Sequence, residues 1–185
     1  MAHKIITFDI ETQNGLGNWR DFSGVKISVL GAIDQDGKEY VYWEDQLPDF
    51  LNFISDADLI VGFNSLGFDV PVLQNYTDIN LKKYPHYDIM DEFKKIAGHR
   101  IKLDDLAQNT LGKGKSGSGL DALKYWAEGR HDELARYCMD DVRVTKALFD
   151  HVVSDKPVKY LNLTAPKEII LKKPDLKINN QNSLF

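Results

Sequence analysis

Asp9 and Glu11 stand two residues apart in Ile5-Ile6-Thr7-Phe8-Asp9-Ile10-Glu11-Thr12, where β-branched and aromatic side chains alternate ahead of the two acids. The pattern predicts a strand that ends on two carboxylates, and residues two apart in a strand project from the same face. Carboxylates held a few ångströms apart raise each other's pKa unless a cation lies between them. A hard divalent ion bound through oxygen resolves that conflict; a solvated strand end would tolerate the same pair. Further along, Asp69 lies two residues before Pro71, at the expected start of a helix, where an Asp ordinarily caps the first turn. Tyr137 and Asp141 are four apart in a helical stretch and so stack one turn apart on one face.

The elements that must position these groups read as a mixed sheet with helical flanks. After a Gly-, Asn- and Asp-rich loop over 13–26, strands are predicted over 27–34 and 39–43, joined by the hairpin signal Asp36-Gly37. A helix follows over 48–54, opened by Pro48, then a short buried strand over 59–61. A short apolar segment ends in Asp88. Helices are expected over 90–97, 103–111, 120–126 and 132–153, the last with an apolar stripe of Leu134, Cys138, Val142, Thr145, Leu148 and Phe149. Beyond Ser154, Pro157, Pro166 and Pro174 rule out a long helix and leave extended pieces over 158–163 and 168–171. The expected division is a domain over 1–153 followed by a basic, extended C-terminal tail over 154–185. Trp19 and Phe22 in the first loop could stack on a base or fold beneath the loop.

Composition bounds the function. A length of 185 residues holds one full core, and 43% hydrophobic with 28% charged residues is the make-up of a soluble globular chain. No apolar run approaches a membrane span, and the N-terminus enters a strand without a signal-peptide apolar region. Cys138 is the single cysteine, which excludes an internal disulfide and fits a reducing cytoplasm. The net charge of −5 is uneven: residues 154–185 carry six Lys against three acids, a net of +3, which leaves −8 on the first 153. An acidic body binds a polyanion poorly unless metal ions neutralise part of it. The loop over 112–119 lacks the spacing of a nucleotide-binding P-loop and reads as a mobile basic loop beside a nucleic-acid groove. His86, His99 and His131 form no helical i, i+4 pair and there is no cysteine pair, so zinc is not expected.

Three stretches taken together resemble a family. Phe8-Asp9-Ile10-Glu11-Thr12, the run from Gly62-Phe63-Asn64 to Gly67-Phe68-Asp69-Val70-Pro71, and Tyr137-Cys138-Met139-Asp140-Asp141 are similar to the three motifs of the DEDD 3′–5′ exonucleases. The Tyr-x-x-x-Asp spacing resembles the tyrosine-bearing DEDDy branch, and the second and third motifs are most similar to the proofreading domain of family B DNA polymerases. The resemblance implies a ribonuclease H-like α/β fold and two-metal hydrolysis releasing nucleoside 5′-monophosphates from a DNA 3′ end. Asp9, Glu11 and Asp141 would hold one Mg²⁺ or Mn²⁺ ion, and Asp9 and Asp69 a second, about 3.5–4 Å away. Tyr137 would orient the attacking water. Asp140 turns about 100° away from Asp141 and is left out. Thr12, Asn64 and Phe68 would line the nucleic-acid groove, although core packing suits Phe68 equally. Because no polymerase domain follows, any proofreading would act through a partner or not at all.

An exoribonuclease would meet the same phosphate, and the motifs do not say whether a 2′-hydroxyl is admitted. A non-catalytic nucleic-acid-binding module would not need all four carboxylates and Tyr137 intact. The terminal Gln181-Asn182-Ser183-Leu184-Phe185 resembles the motif by which bacterial replication and repair proteins dock on the sliding clamp, with Gln181, Leu184 and Phe185 as its anchors. Asn182 departs from the usual Leu.

Overall fold

The computed structural model describes residues 3–15, 21–113, 119–163 and 165–176. Trp19, most of the glycine-rich loop, and the clamp-like Gln181, Leu184 and Phe185 lie outside the described residues.

Five strands form one sheet: β1 (Ile5–Thr12), β2 (Ile27–Ile33), β3 (Glu39–Trp43), β4 (Leu59–Gly62) and β5 (His86–Asp88). Their spatial order is β3-β2-β1-β4-β5. The pairs β1–β2 and β2–β3 are antiparallel, whereas β1–β4 and β4–β5 are parallel. The Asp36-Gly37 signal is met by a tight β2–β3 hairpin in which Gly37 takes a φ of 83°, a region open to glycine at no steric cost. Asp34 fixes that turn by accepting from the Asp36 and Lys38 amides and from the Tyr40 hydroxyl.

Helices α1 (Leu47–Phe53) and α2 (Asp69–Leu73) cover one face of the sheet. There Ile6, Phe8 and Ile10 of β1 join Leu47, Phe50, Val72 and Leu73 in one buried cluster. Alternation along β1 therefore turns Asp9 and Glu11 to the opposite face. Both acids sit within the strand, which runs on to Thr12 instead of ending at them. The opposite face is covered by α3 (Ile89–Ala97), α4 (Leu103–Leu111) and the 23-residue α6 (His131–Val153), with α5 (Gly119–Ala127) packed on α6. Every residue of the stripe expected on α6 is buried, and Tyr137, Met139, Asp141 and Val152 are buried with it. Arg143 ties the outer side of α6 to β3 through a two-pronged bond to Glu39, 2.7 Å on each arm.

Where extended pieces were expected over 158–163 and 168–171, an antiparallel hairpin of β6 (Val158–Asn162) and β7 (Ala165–Ile169) forms. Val158, Tyr160 and Leu171 are buried with Phe93, Leu106 and Phe149, and the Tyr87 hydroxyl donates to the Lys172 carbonyl at 2.7 Å.

How closely α6 lies on the sheet depends on Gly31, which pairs with Asp9 across the β1–β2 ladder. A Cβ at Gly31 would stand 2.8 Å from Met139 Sδ, 3.0 Å from Val142 Cγ2 and 3.2 Å from Cys138 Sγ. The thioether can swing away, but the β-branched Val142 on a helix is stiff. Gly31→Ala should therefore destabilise the fold by about 1–3 kcal/mol, as overpacking does. The check is urea unfolding, in which the midpoint falls at unchanged m-value. An unchanged or higher midpoint would show that α6 has room to spare.

Candidate active site

Asp9 and Glu11 from β1 and Asp141 from α6 each offer a carboxylate oxygen, and these oxygens all lie within 4.8 Å of one another. Asp141 is buried, whereas Asp9 and Glu11 are half-buried. The Cys138 thiol, one turn before Asp141, donates to the Asp9 backbone carbonyl at 3.5 Å. Burial pushes this thiol well above its ordinary range and the charges of Asp9 and Glu11 push it further, so Cys138 is inert packing and not a nucleophile. Beside Glu11 the β1–β2 register slips: Glu11 pairs with Val29 and Thr12 with Ile27, leaving Ser28 as the extra residue of a β-bulge. Bulges of this kind bend the strand and re-aim its side chains.

Asp69 reaches the same stretch of β1 from the other direction. It is the first residue of α2 and does not cap it; the cap position belongs to Phe68. Pairing of β1 with β4 stops at Thr7, so the β1 edge beyond that point is open on this side. Asp69 Oδ1 accepts the Ile10 amide at 3.1 Å, which satisfies that edge. Burial pushes the Asp69 carboxyl up to about 7, its hydrogen bonds pull the other way, and the charges of Asp88 and Asp141 add to the rise. Asp69 is therefore within electrostatic reach of the trio without being one of the three oxygens that converge most tightly.

The loop between β4 and α2 is shaped for this delivery. A Cβ at Gly62 would meet the Ser65 side chain at 2.4 Å, and one at Gly67 would meet Asn64 Oδ1 at 2.6 Å. Asn64 takes a φ of 62°, unusual for a residue with a side chain. It is held there by Asp88, whose Oδ1 accepts the Asn64 amide at 2.8 Å and whose Oδ2 accepts that of Leu66 at 3.0 Å. Asp88 Oδ1 also caps α3 by accepting from Met90 and Asp91. Burial pushes the Asp88 carboxyl up, against the pull of the Leu66 and Asn64 amides.

Tyr137 is buried with Val29, Leu134 and Cys138, edge-on to Tyr125 at 6.4 Å. Thr12 closes β1, and Phe68 is half-buried against Phe22, 5.9 Å between ring centres. Asp140 faces outward and pairs with Arg143. Three residues that shape the site were not identified as such in the sequence: Gly31, Asp88 and Arg100, whose guanidinium donates to Asn64 Oδ1 at 2.6 Å. Only Asp88 left a local trace, an acid directly before a helix.

The sequence model of the RNase_H superfamily matches residues 6–153. The chain belongs to the RNase_H superfamily. Its fold is similar to that of the family B DNA polymerase from the hyperthermophilic archaeon Pyrobaculum calidifontis, with a TM-score of 0.66 and 22% sequence identity. That match covers 83% of this chain but only 25% of the polymerase. A search of curated proteins finds no significant match. The superfamily's sheet is the mixed one described above, and within it the trio fits a divalent cation: all donors are carboxylate oxygens and three of them converge. Among the described residues no helix is long and apolar enough to cross a membrane.

Asp88→Ala would leave the amides of Asn64, Leu66, Met90 and Asp91 without their acceptor. Each orphaned buried group costs about 1–3 kcal/mol, and water reaching the cavity offsets part of the sum, so a loss of about 2–3 kcal/mol is expected in urea unfolding. A loss of less than about 0.5 kcal/mol, the range of a neutral surface change, would contradict this bracing role.

Proposed function

We propose that the protein is a metal-dependent 3′–5′ exonuclease that removes nucleoside 5′-monophosphates from the 3′ end of DNA. The observation that carries this reading is the convergence of Asp9, Glu11 and Asp141, from a strand and a helix distant in sequence, beside the buried Asp69. Superfamily membership supports nuclease chemistry. The motif pattern, with Tyr137 one turn before Asp141, supports the 3′–5′ exonuclease class within it.

Asp9, Glu11 and Asp141 would hold one Mg²⁺ or Mn²⁺ ion, and Asp9 with Asp69 a second. Ions held there supply the charge stabilisation that in-line attack on a phosphodiester requires. The protein's own part is positioning. The ladder and the α6 contact fix the carboxylates before substrate arrives, and Tyr137 hydrogen-bonds the attacking water and orients it. Asn64 and Phe68, on the loop that delivers Asp69, and Thr12, at the end of β1, flank the site where a terminal nucleotide would lie. The resemblance of Gln181–Phe185 to a clamp-docking motif supports delivery of the enzyme to primer ends by a sliding clamp, which would raise the effective substrate concentration for an acidic body.

Asp9→Ala and Asp141→Ala should each abolish Mn²⁺-dependent digestion of 5′-labelled single-stranded DNA while the circular dichroism spectrum is retained. Digestion of DNA and RNA of one sequence side by side reads the sugar preference, and more efficient RNA trimming would reassign the substrate. Near wild-type activity of purified Asp9→Ala would sink the metal-ligand assignment. Tyr137→Phe should slow turnover by roughly 10²–10³-fold, the usual loss for one positioning hydrogen bond, at unchanged Mn²⁺ affinity in calorimetry. Loss of metal binding in that variant would make Tyr137 structural.

A further inference from the structure

We propose that the cavity between residues 99–102, α4 and the β6–β7 hairpin binds the phosphodiester backbone of the substrate strand upstream of its 3′ end, with Arg100 and Lys102 as the phosphate contacts. This rests on the nuclease reading and adds to it the path of the strand.

A body carrying −8 over its first 153 residues needs local cations wherever a polyanion lies against it. Several cations are already committed. Arg130 pairs with Glu128 and Glu133, Arg143 with Glu39 and Asp140, Lys95 with Asp91 and Glu92, and Lys146 with Asp150. Arg100 and Lys102 have no carboxylate partner among the described residues, and both line one cavity of about 470 Å³. That volume lies within the range of ordinary ligand pockets. The lining also includes the amide of Asn109 and the exposed side chain of Leu161, a polar group for the backbone and an apolar surface for a sugar or base. Asp105 stands in the same lining and opposes an anion, leaving two cations against one carboxylate.

Two features make this a built site joined to the catalytic one. The hairpin wall is pinned to α4, because Thr110 Oγ1 accepts the Lys159 amide at 2.9 Å and donates to its carbonyl at 3.1 Å. The floor is held by Tyr160, edge-on to Phe93 at 4.9 Å and tilted against His99 at 5.7 Å. On the other side, Arg100 bonds Asn64, five residues before Asp69 on the loop that carries it. A guanidinium spent on an amide oxygen keeps its full charge and its remaining N–H donors for phosphate. A strand whose terminal phosphodiester reaches the carboxylates past Asn64 therefore meets Arg100 next and Lys102 beyond it.

The test measures binding apart from hydrolysis, in the full-length chain carrying Asp9→Ala, by anisotropy of a fluorescein-labelled 12-nucleotide single strand across a salt series. Lys102→Gln, which leaves the Arg100–Asn64 bond in place, and Arg100→Gln should each weaken binding and flatten the slope of log Kd against log salt by roughly 0.7. Arg100→Lys, which keeps the charge, should restore the slope. Lys82→Gln removes an exposed charge outside this cavity and should leave the slope unchanged. Flattening by Lys82→Gln equal to that by Lys102→Gln would reduce the effect to net charge and overturn the subsite. Unchanged slopes in both cavity variants, with a parent that binds DNA and an unmodified chain that digests it, would overturn the subsite alone. A parent that binds no strand would overturn both readings.

Discussion

The structure depends on one close contact, that of α6 against the sheet at Gly31. Three carboxylates within 4.8 Å oppose their own assembly: at that separation an ionised pair repels by roughly 3–4 kcal/mol at the effective dielectric of a protein surface. Something must hold them, and the α6 stripe does. Leu134, Val142, Leu148, Phe149 and Val152 are all buried, and each contributes about 1.5–3 kcal/mol. Packing thus outweighs repulsion, so the trio is assembled in the fold itself and a cation would find its ligands already in place. The absence of a side chain opposite Asp9 lets the helix come near enough for Asp141 to join β1.

The second support is built differently. Asp69 is delivered by a loop whose shape depends on two glycines, one residue at positive φ and a buried carboxylate that gathers four backbone amides. Such a network is rigid when complete and costly when broken. Asp88 braces this loop and caps α3 at once, so the loop's conformation is coupled to the helix that leads on to Arg100. Asp69, the loop that carries it and the cavity beside Arg100 form one continuous structure.

Much of this was legible in the sequence. Alternation in 5–12 placed Asp9 and Glu11 on one face, and the four-residue spacing of Tyr137 and Asp141 placed both on α6. The Asp36-Gly37 turn and the buried stripe of α6 followed from period and turn chemistry alone. What escaped was whatever depends on long-range geometry. Asp69 reads locally as a cap, yet an open strand edge 59 residues away claims its carboxylate. Gly31 reads as one small residue in an apolar strand, because nothing local shows that a helix more than 100 residues later will press on it. Asp88 carries the signature of a cap, but its bonds to Asn64 and Leu66 span more than 20 residues. The carboxylates within β1 were expected at its end; pairing with β2 carries the strand on to Thr12.

The central claim is that Asp9, Glu11 and Asp141 form a metal site pre-assembled by packing. Its most direct test is diffraction from crystals of the unmodified protein soaked in Mn²⁺, with data collected at the manganese absorption edge. The account predicts an anomalous peak between these three carboxylates, with their side chains placed as they are in metal-free crystals. A map with no peak there, or carboxylates that come together only when the ion is present, would contradict it.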